Sequence, residues 1–224
     1  MADYPKIRFT FDQITEKNIC LEFLRMGWPI HPSLKHLIDC PNEELVKIEI
    51  SDFINSYYQK NFDKLSNNFS QAVENWSKVE KSYYKKVDSL LNNYPWPQGD
   101  YKAVASVLYC FPRYIEEKWF AFPVNGQFFP LMVVAHEMLH FIIYDYMEKK
   151  YGLKPSECFD EDNKFWQFTE NLNALIEDEP MWQEFMNGKK ANIKPECKDL
   201  YQEMKIIWDK DKNIDNLIKK IFTI

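Results

Sequence analysis

The sequence predicts an α+β fold that is predominantly helical and contains a small sheet. Long stretches carry an apolar residue at every third or fourth position, which is the period of an amphipathic helix. Three short stretches instead show the alternation, or the small, β-branched and aromatic residues, that strands favour. Prolines and glycines separate these stretches, and 46% of the 224 residues are hydrophobic, so the chain can bury a sizeable core.

The first part of the chain is predicted to hold one strand and two helices. The strand is IRFTF at residues 7–11, in which apolar and polar residues alternate. An aromatic, proline-bearing stretch at 25–41 is typical of a loop or short helices. Amphipathic helices are predicted at 42–65 and 68–92, and together they suggest a helical hairpin.

The strongest break in the sequence is NNYPWPQGDY at 92–101, with two prolines and a glycine. It predicts a boundary between residues 1–95, with the strand and the helical hairpin, and residues 96–224, which would hold the chemistry. One continuous domain is the alternative. In the second region strands are predicted at 102–111 and 117–124. Predicted helices follow at residues 128–146, 165–178, 196–208 and 213–222.

Charge and cysteine content narrow the class of protein. Lys and Arg total 28 against 34 Asp and Glu, with no long basic run, which argues against nucleic acid or an anionic membrane as the main partner. The five cysteines are odd in number and form no CxxC pair, so neither a disulfide framework nor a cysteine zinc site is expected. The first residues, MADYPKIRFTFDQ, lack the apolar core of a signal peptide. We therefore expect a cytoplasmic protein.

The stretch VVAHEMLHFI at 133–142 places two histidines and a glutamate in the most apolar predicted helix of a chain with four histidines. Burying three such groups is costly unless something compensates them. His136 and His140 would lie one turn apart on one face, within reach of one metal ion, with Glu137 rotated by about 100° from His136. Zinc accepts imidazole nitrogen readily, and a carboxylate beside it can take a proton from its bound water. The spacing predicts a zinc site; two core histidines hydrogen-bonded to carbonyls are the alternative.

The HEMLH sequence at 136–140 resembles the HExxH helix of the zincin metallopeptidases. The resemblance covers roughly residues 128–178. The metzincin branch would require glycine at 143 and histidine at 146, where this chain has Ile143 and Tyr146. No histidine follows His140, so a downstream third ligand has to be a carboxylate, as in the gluzincins. The resemblance therefore implies a zinc-dependent peptidase of the gluzincin type.

The third ligand has several downstream candidates. Glu170 is preferred because it lies within FWQFTENLNALIED, a predicted helix whose apolar stripe would pack it rigidly against the first helix. Glu177, two turns later on the same face, is the reserve. The remaining candidates are the loop residues Asp160, Glu161 and Asp162, and Asp178 at the helix end.

The chain also departs from the gluzincin pattern. Thermolysin-like members carry an aspartate four residues after the glutamate to orient the first histidine, and here that position is Ala174. That orienting role would fall to Asn173 or Asp178. No downstream histidine can stabilise the oxyanion, which leaves Tyr144 and Tyr201 as candidates. The other two histidines, His31 and His36, are expected to be structural or exposed.

The mechanism that the resemblance implies uses zinc held by His136, His140 and Glu170. The metal lowers the pKa of its bound water, Glu137 accepts the proton, and hydroxide attacks a peptide carbonyl. A peptide or protein substrate would lie extended along an edge strand, for which 102–111 and 117–124 are the candidates.

Three other functions compete with this one. A zincin-like protein without activity would serve as a binding or regulatory module, and the missing helper residues favour it. An intramembrane metalloprotease would have to span the bilayer with FFPLMVVAHEMLHFIIY, which is only marginally long enough and carries His-Glu-His at its centre. A helical interaction protein would bind no metal. Activation by an unidentified protein partner is left open.

Overall fold

The structure is a computed structural model that describes residues 4–154 and 164–224. The strands are β1 (Ile7–Phe11), β2 (Tyr101–Ser106), β3 (Arg113–Tyr114) and β4 (Trp119–Pro123). The helices are α1 (Gln13–Arg25), α2 (Glu43–Leu90), α3 (Pro130–Tyr151), α4 (Lys164–Glu177), α5 (Gln183–Met186), α6 (Lys198–Asp211) and α7 (Ile214–Phe222). Short 3₁₀ turns lie at Pro32–Leu37, Pro180–Trp182 and Pro195–Cys197. The predicted α+β, predominantly helical class is confirmed.

The described residues divide into two compact units. The first, here called the helical unit, consists mainly of Val79–Pro97 and Ala135–Ile224, and the second, the sheet unit, of Pro5–Lys78 and Gln98–Val134. Each unit contains residues from both sides of residue 95. The proposed division into residues 1–95 and 96–224 stays a prediction.

The sheet unit contains a mixed four-stranded sheet in the order β1-β2-β4-β3. β2 pairs in parallel with β1 and with β4, and β3 pairs antiparallel with β4. α1 and α2 lie between β1 and β2 in sequence, which gives the long connection that parallel pairing requires. β2 is almost continuously buried, as expected of a strand with neighbours on both sides.

The sheet order corrects the prediction that residues 102–111 could offer a free edge to a substrate. β2 ends at Ser106 and has a strand on each side, so its backbone groups are already paired. The outer strands are β1 and β3. β4, the core of the predicted strand 117–124, pairs with β3 at Trp119 and Phe120, and its Ala121 N–H donates to the carbonyl of Pro112 at 2.9 Å.

The predicted hairpin of two helices is also wrong. Helical structure continues through residues 66 and 67, and α2 departs from helical geometry only at Asn61, with φ −120° and ψ 15°. The side-chain amide of Asn61 donates to the carbonyl of Tyr57 at 2.8 Å, four residues earlier, so it competes with the backbone for that acceptor. The chain therefore bends at Asn61 instead of reversing direction.

Helix α1 has no counterpart among the predicted elements. It begins after Asp12, whose carboxylate accepts a hydrogen bond from the backbone N–H of Thr15 at 3.0 Å and so caps the helix. Its buried face includes Glu16 as well as apolar residues. A charged residue on that face obscures the apolar period from which a helix is predicted.

Glu16 joins three elements of the sheet unit while remaining fully buried. Its carboxylate accepts hydrogen bonds from the Tyr58 hydroxyl of α2 (2.5 Å), and from the Ser106 hydroxyl (3.0 Å) and the Val107 amide (2.6 Å) at the end of β2. Burial raises the pKa of Glu16 to about 7 although these hydrogen bonds oppose the rise. α1 is therefore attached to α2 and to β2 through one carboxyl group.

In the helical unit, α3 is buried on nearly every side. Met138, Leu139, Phe141 and Ile142 are completely inaccessible to solvent, as in a helix that runs through a core. The Tyr83 hydroxyl of α2 donates to the carbonyl of Ala135 at 2.8 Å and holds α3 at the turn that carries the HEMLH sequence. Within the described part of the chain, no helix combines the length and the apolar character that crossing a bilayer requires.

Candidate metal centre

The two histidines of HEMLH face one another across one turn of α3. Their Nε2 atoms are 3.1 Å apart, and their ring centroids are separated by 4.8 Å. His140 is completely buried, whereas the His136 side chain is 24% exposed. The i, i+4 spacing therefore directs both Nε2 atoms to one point.

Glu170 approaches the same point from α4. Its Oε1 lies 3.4 Å from Nε2 of His140, and its Oε2 lies 3.8 Å from Nε2 of His136. The Asn173 amide, one turn later on α4, donates to the carbonyl of His136 at 3.1 Å and so ties α4 to α3. The structure thus brings together His136, His140 and Glu170, whose potential ligand atoms all lie within 4.8 Å of one another.

The chemistry and spacing of this histidine–glutamate cluster (His136, His140 and Glu170) fit a zinc ion. Ligand atoms about 2.0 to 2.2 Å from a tetrahedral zinc ion lie roughly 3.3 to 3.6 Å from each other. The two Nε2 atoms are 3.1 Å apart, and Glu170 lies 3.4 Å from His140 through Oε1 and 3.8 Å from His136 through its other oxygen, Oε2. Two imidazole nitrogens and one carboxylate also form a donor set of the kind found in catalytic zinc sites.

Glu177 lies on the other side of the His136 ring. Its Oε1 is 2.7 Å from Nδ1 of His136, and its side chain is almost fully buried. A neutral His136 that donates from Nδ1 to Glu177 presents the lone pair of Nε2 to the cluster. The reserve ligand predicted from the sequence is therefore placed to orient the first histidine. The geometry favours Glu170 as the third ligand.

The two residues predicted to orient His136 make other contacts. Asn173 contacts the backbone carbonyl of His136, not its ring. Asp178 accepts hydrogen bonds from the backbone N–H of Ala191 at 3.0 Å and from the Tyr201 hydroxyl at 3.5 Å. Glu177 lies seven residues, or two helical turns, after Glu170. This spacing was the sequence signal that placed Glu177 on the same face of the helix.

Three carboxylates, those of Glu137, Glu170 and Glu177, act on the charge of His136. Burial disfavours the charged form of His136, but the carboxylate and hydrogen bond of Glu177, with the charges of Glu137 and Glu170, outweigh burial and raise its pKa to about 9. Glu137, Glu170 and Glu177 are all largely withheld from water. Buried carboxylates are costly unless a positive charge compensates them, and a divalent cation would supply that charge.

Lys194 supplies one positive charge that the sequence did not predict. Its Nζ is 3.4 Å from Oε2 of Glu170 and 4.3 Å from the centroid of the Trp166 ring. No local pattern indicates this contact, because Lys194 reaches α4 from a separate loop. Lys194 thus extends the candidate site beyond the residues predicted.

The remaining predicted residues have identifiable surroundings. The Tyr144 ring packs edge-on against His140 at 5.8 Å, and its hydroxyl accepts a hydrogen bond from Thr169 at 3.4 Å. In the sheet unit, Nδ1 of His31 accepts from the backbone N–H of Ser33 and caps the turn Pro32–Leu37, while the exposed His36 pairs with Glu49 at 2.7 Å. The contacts of His31 and His36 agree with the expectation that these two histidines are structural or exposed. The candidates Asp160, Glu161 and Asp162 lie outside the described residues.

Comparison with known proteins assigns no family to this geometry. No protein-family model, no curated protein and no solved structure matches the chain. Function is therefore inferred from the side chains of the cluster and their contacts.

Proposed function

We propose that this protein is a zinc-dependent metallopeptidase in which His136, His140 and Glu170 hold the metal and Glu137 is the general base. The observation that carries the proposal is the convergence of two imidazole Nε2 atoms and the Glu170 carboxylate, from two packed helices, within 4.8 Å. The donor set of two imidazoles and one carboxylate suits zinc, and the buried carboxylates around it favour a cation. The zincin-like fold of the gluzincin type that HEMLH implies belongs to the same proposal.

A zinc ion, when bound, supplies Lewis-acid chemistry: it lowers the pKa of a coordinated water and polarises a carbonyl oxygen. Glu137 follows His136 directly on α3, is buried, and lies close enough for its charge to act on that ring. From this position its carboxylate takes the proton of the attacking water and later passes it to the leaving amine. The apolar surroundings on α3 keep the dielectric low and strengthen these charge interactions.

Other residues of the helical unit hold this machinery in place. Glu177 fixes the orientation of the His136 ring through Nδ1, and Asn173 fixes α4 against α3 through the His136 carbonyl. The carbonyl of Glu177 in turn accepts a hydrogen bond from the Gln183 amide at 3.0 Å. Such supporting contacts keep metal ligands within the narrow tolerance that a catalytic site requires.

The substrate class is peptides or proteins, and the location is the cytoplasm. The four described cysteines, Cys20, Cys40, Cys110 and Cys197, are free thiols, which supports a reducing compartment. The acidic net charge of −6 supports a substrate other than nucleic acid.

The test combines metal analysis with turnover. Elemental analysis of the purified chain should find about one zinc per molecule, and His136→Ala should lose it whereas the exposed His36→Ala should not. Glu137→Gln should keep its zinc but lose turnover of a mixed peptide library, with the exposed Glu203→Gln as the matched control.

Each outcome has a distinct meaning. Zinc retained without turnover in wild type would contradict the peptidase and leave an inactive zincin-like binding or regulatory protein. Equal turnover in wild type and Glu137→Gln would contradict the role of Glu137 as the general base. Wild-type protein that holds no zinc under metal-replete conditions would contradict the metal site itself.

A further inference from the structure

The ammonium group of Lys194 lies at the edge of the histidine–glutamate cluster. It is 3.4 Å from Oε2 of Glu170, the same oxygen that lies 3.8 Å from Nε2 of His136. The Lys194 side chain is 43% exposed, compared with 10% for Glu170 and 24% for His136. Among these charged groups Lys194 is therefore the one most accessible to a molecule that arrives from solvent.

The position of Lys194 is fixed by its backbone as well as by its charge. It directly precedes the turn Pro195–Cys197, in which the Cys197 N–H donates to the carbonyl of Lys194 at 3.0 Å. The Asn171 amide of α4 donates to the carbonyl of Cys197 at 2.9 Å in a buried contact. The Trp166 ring, one turn before Glu170, lies 4.3 Å from Nζ. The loop and α4 thus hold the ammonium at a defined place.

A fixed ammonium beside the proposed metal ligands suits a developing negative charge. As the water oxygen adds to the carbonyl carbon of a peptide, Glu137 takes the proton and the π electron pair of the C=O bond moves onto the carbonyl oxygen. An ammonium has three N–H donors, so a contact with Glu170 does not exhaust its capacity. The hydroxyl of Tyr201, one of the two tyrosines that were candidates for this role, already donates to Asp178 at 3.5 Å.

We propose that Lys194 is the catalytic residue that binds the oxyanion formed during peptide hydrolysis, an inference that rests on the proposed function. Lys194 donates to the negatively charged carbonyl oxygen while Glu170 remains its partner on the protein side. The same donor binds other oxyanions that reach the site. That affinity can be measured without knowledge of the peptide substrate.

The test uses cobalt-loaded full-length protein and inorganic phosphate as the probe, followed by the visible spectrum of the cobalt. Lys194→Met removes the charge but keeps an unbranched stem over Trp166, and should weaken phosphate binding by about tenfold or more, because charge-assisted hydrogen bonds are lost. Lys194→Arg keeps the charge and should bind phosphate within about threefold of wild type. The control Lys205→Met removes a lysine of similar exposure, 45%, that pairs with Asp209.

Metal affinity gives the second measurement. Lys194→Met should bind cobalt at least as tightly as wild type, because removing a neighbouring positive charge does not weaken the binding of a cation. A loss of metal in Lys194→Met would overturn the inference, since Lys194 would then only hold Glu170 in place. Equal phosphate affinity in Lys194→Met and wild type, or no phosphate binding by either, would also overturn it while leaving the metal site intact. Failure of wild-type protein to bind cobalt or zinc would instead refute the proposed function.

Discussion

Replacing Glu16 by glutamine should remove a pH dependence from the stability of the fold. The pKa of this buried carboxyl rises from 4.5 to about 7 in the folded protein. Between these two values the folded state binds the proton more tightly than the unfolded state does, so the free energy of unfolding falls as the pH rises. Each pKa unit is worth about 1.36 kcal/mol, which makes the full contribution about 3 kcal/mol.

The effect can be measured by urea unfolding at pH 5 and pH 8. The two pKa values imply that wild type loses about 2.5 kcal/mol of this contribution over that interval. Glu16→Gln stays neutral and keeps an oxygen that can accept from Val107, so it should lose none of it. Other titrating groups contribute equally to both proteins and cancel in the difference.

The urea experiment includes a control and has an outcome that would refute the expectation. The exposed Glu203→Gln should follow wild type at both pH values, which controls for the removal of one carboxylate. Parallel profiles for wild type and Glu16→Gln would refute the reasoning, because they would mean that the buried carboxyl has the same proton affinity in the folded and unfolded states.

Three further predictions concern the candidate metal centre. Zinc should stabilise wild type by about 1.4 kcal/mol for each tenfold excess of free zinc over Kd, which differential scanning calorimetry detects as a higher Tm. The Tm of His140→Ala should not change with zinc. Glu177→Gln should weaken zinc binding by about tenfold, measured by competition with a chromophoric chelator, because the charge that orients His136 is lost. Asn173→Ala should lower the free energy of unfolding in urea by about 0.5–1.5 kcal/mol, because the hydrogen bond from α4 to the carbonyl of His136 is lost.

Each of these predictions has a matched control at an exposed residue of the same type. His36→Ala should retain the rise of Tm with zinc, Glu203→Gln should retain wild-type zinc affinity, and Asn192→Ala should unfold like wild type. A rise of Tm in His140→Ala would argue against that ligand. Unchanged zinc affinity in Glu177→Gln would show that Glu177 does not orient the ring, and unchanged stability in Asn173→Ala would show that the bond between α3 and α4 contributes little.

The sequence indicated the candidate site best where one helix carries it. The period of a helix fixes the directions of side chains one and four residues apart, so the spacing of His136, Glu137 and His140 is enough to assign them to one buried turn. The strong amphipathic pattern of α4 likewise indicated which helix could bring Glu170 to that turn. These inferences needed only local geometry.

The contacts that the sequence did not indicate depend on how separate segments pack. Glu177 contacts Nδ1 of His136 through the packing of α4 against α3. Lys194 lies on a loop whose residue Cys197 accepts a hydrogen bond from Asn171 of α4. The bend at Asn61 follows from a side-chain hydrogen bond that competes with the backbone, which an apolar period does not register. The interior position of β2 is a property of strand order, for which residues 102–111 carry no local signal.

Met138 and Leu139, the two residues between Glu137 and His140 in HEMLH, are subject to a constraint that does not involve zinc. Met138 and Leu139 are both completely inaccessible to solvent, so each fills a space shaped by its neighbours. Relatives of this chain should therefore vary at these positions only among side chains of similar volume, such as Met, Leu and Ile. A library randomised at the two positions would report the shape of the core, even though the formula HExxH leaves both letters open.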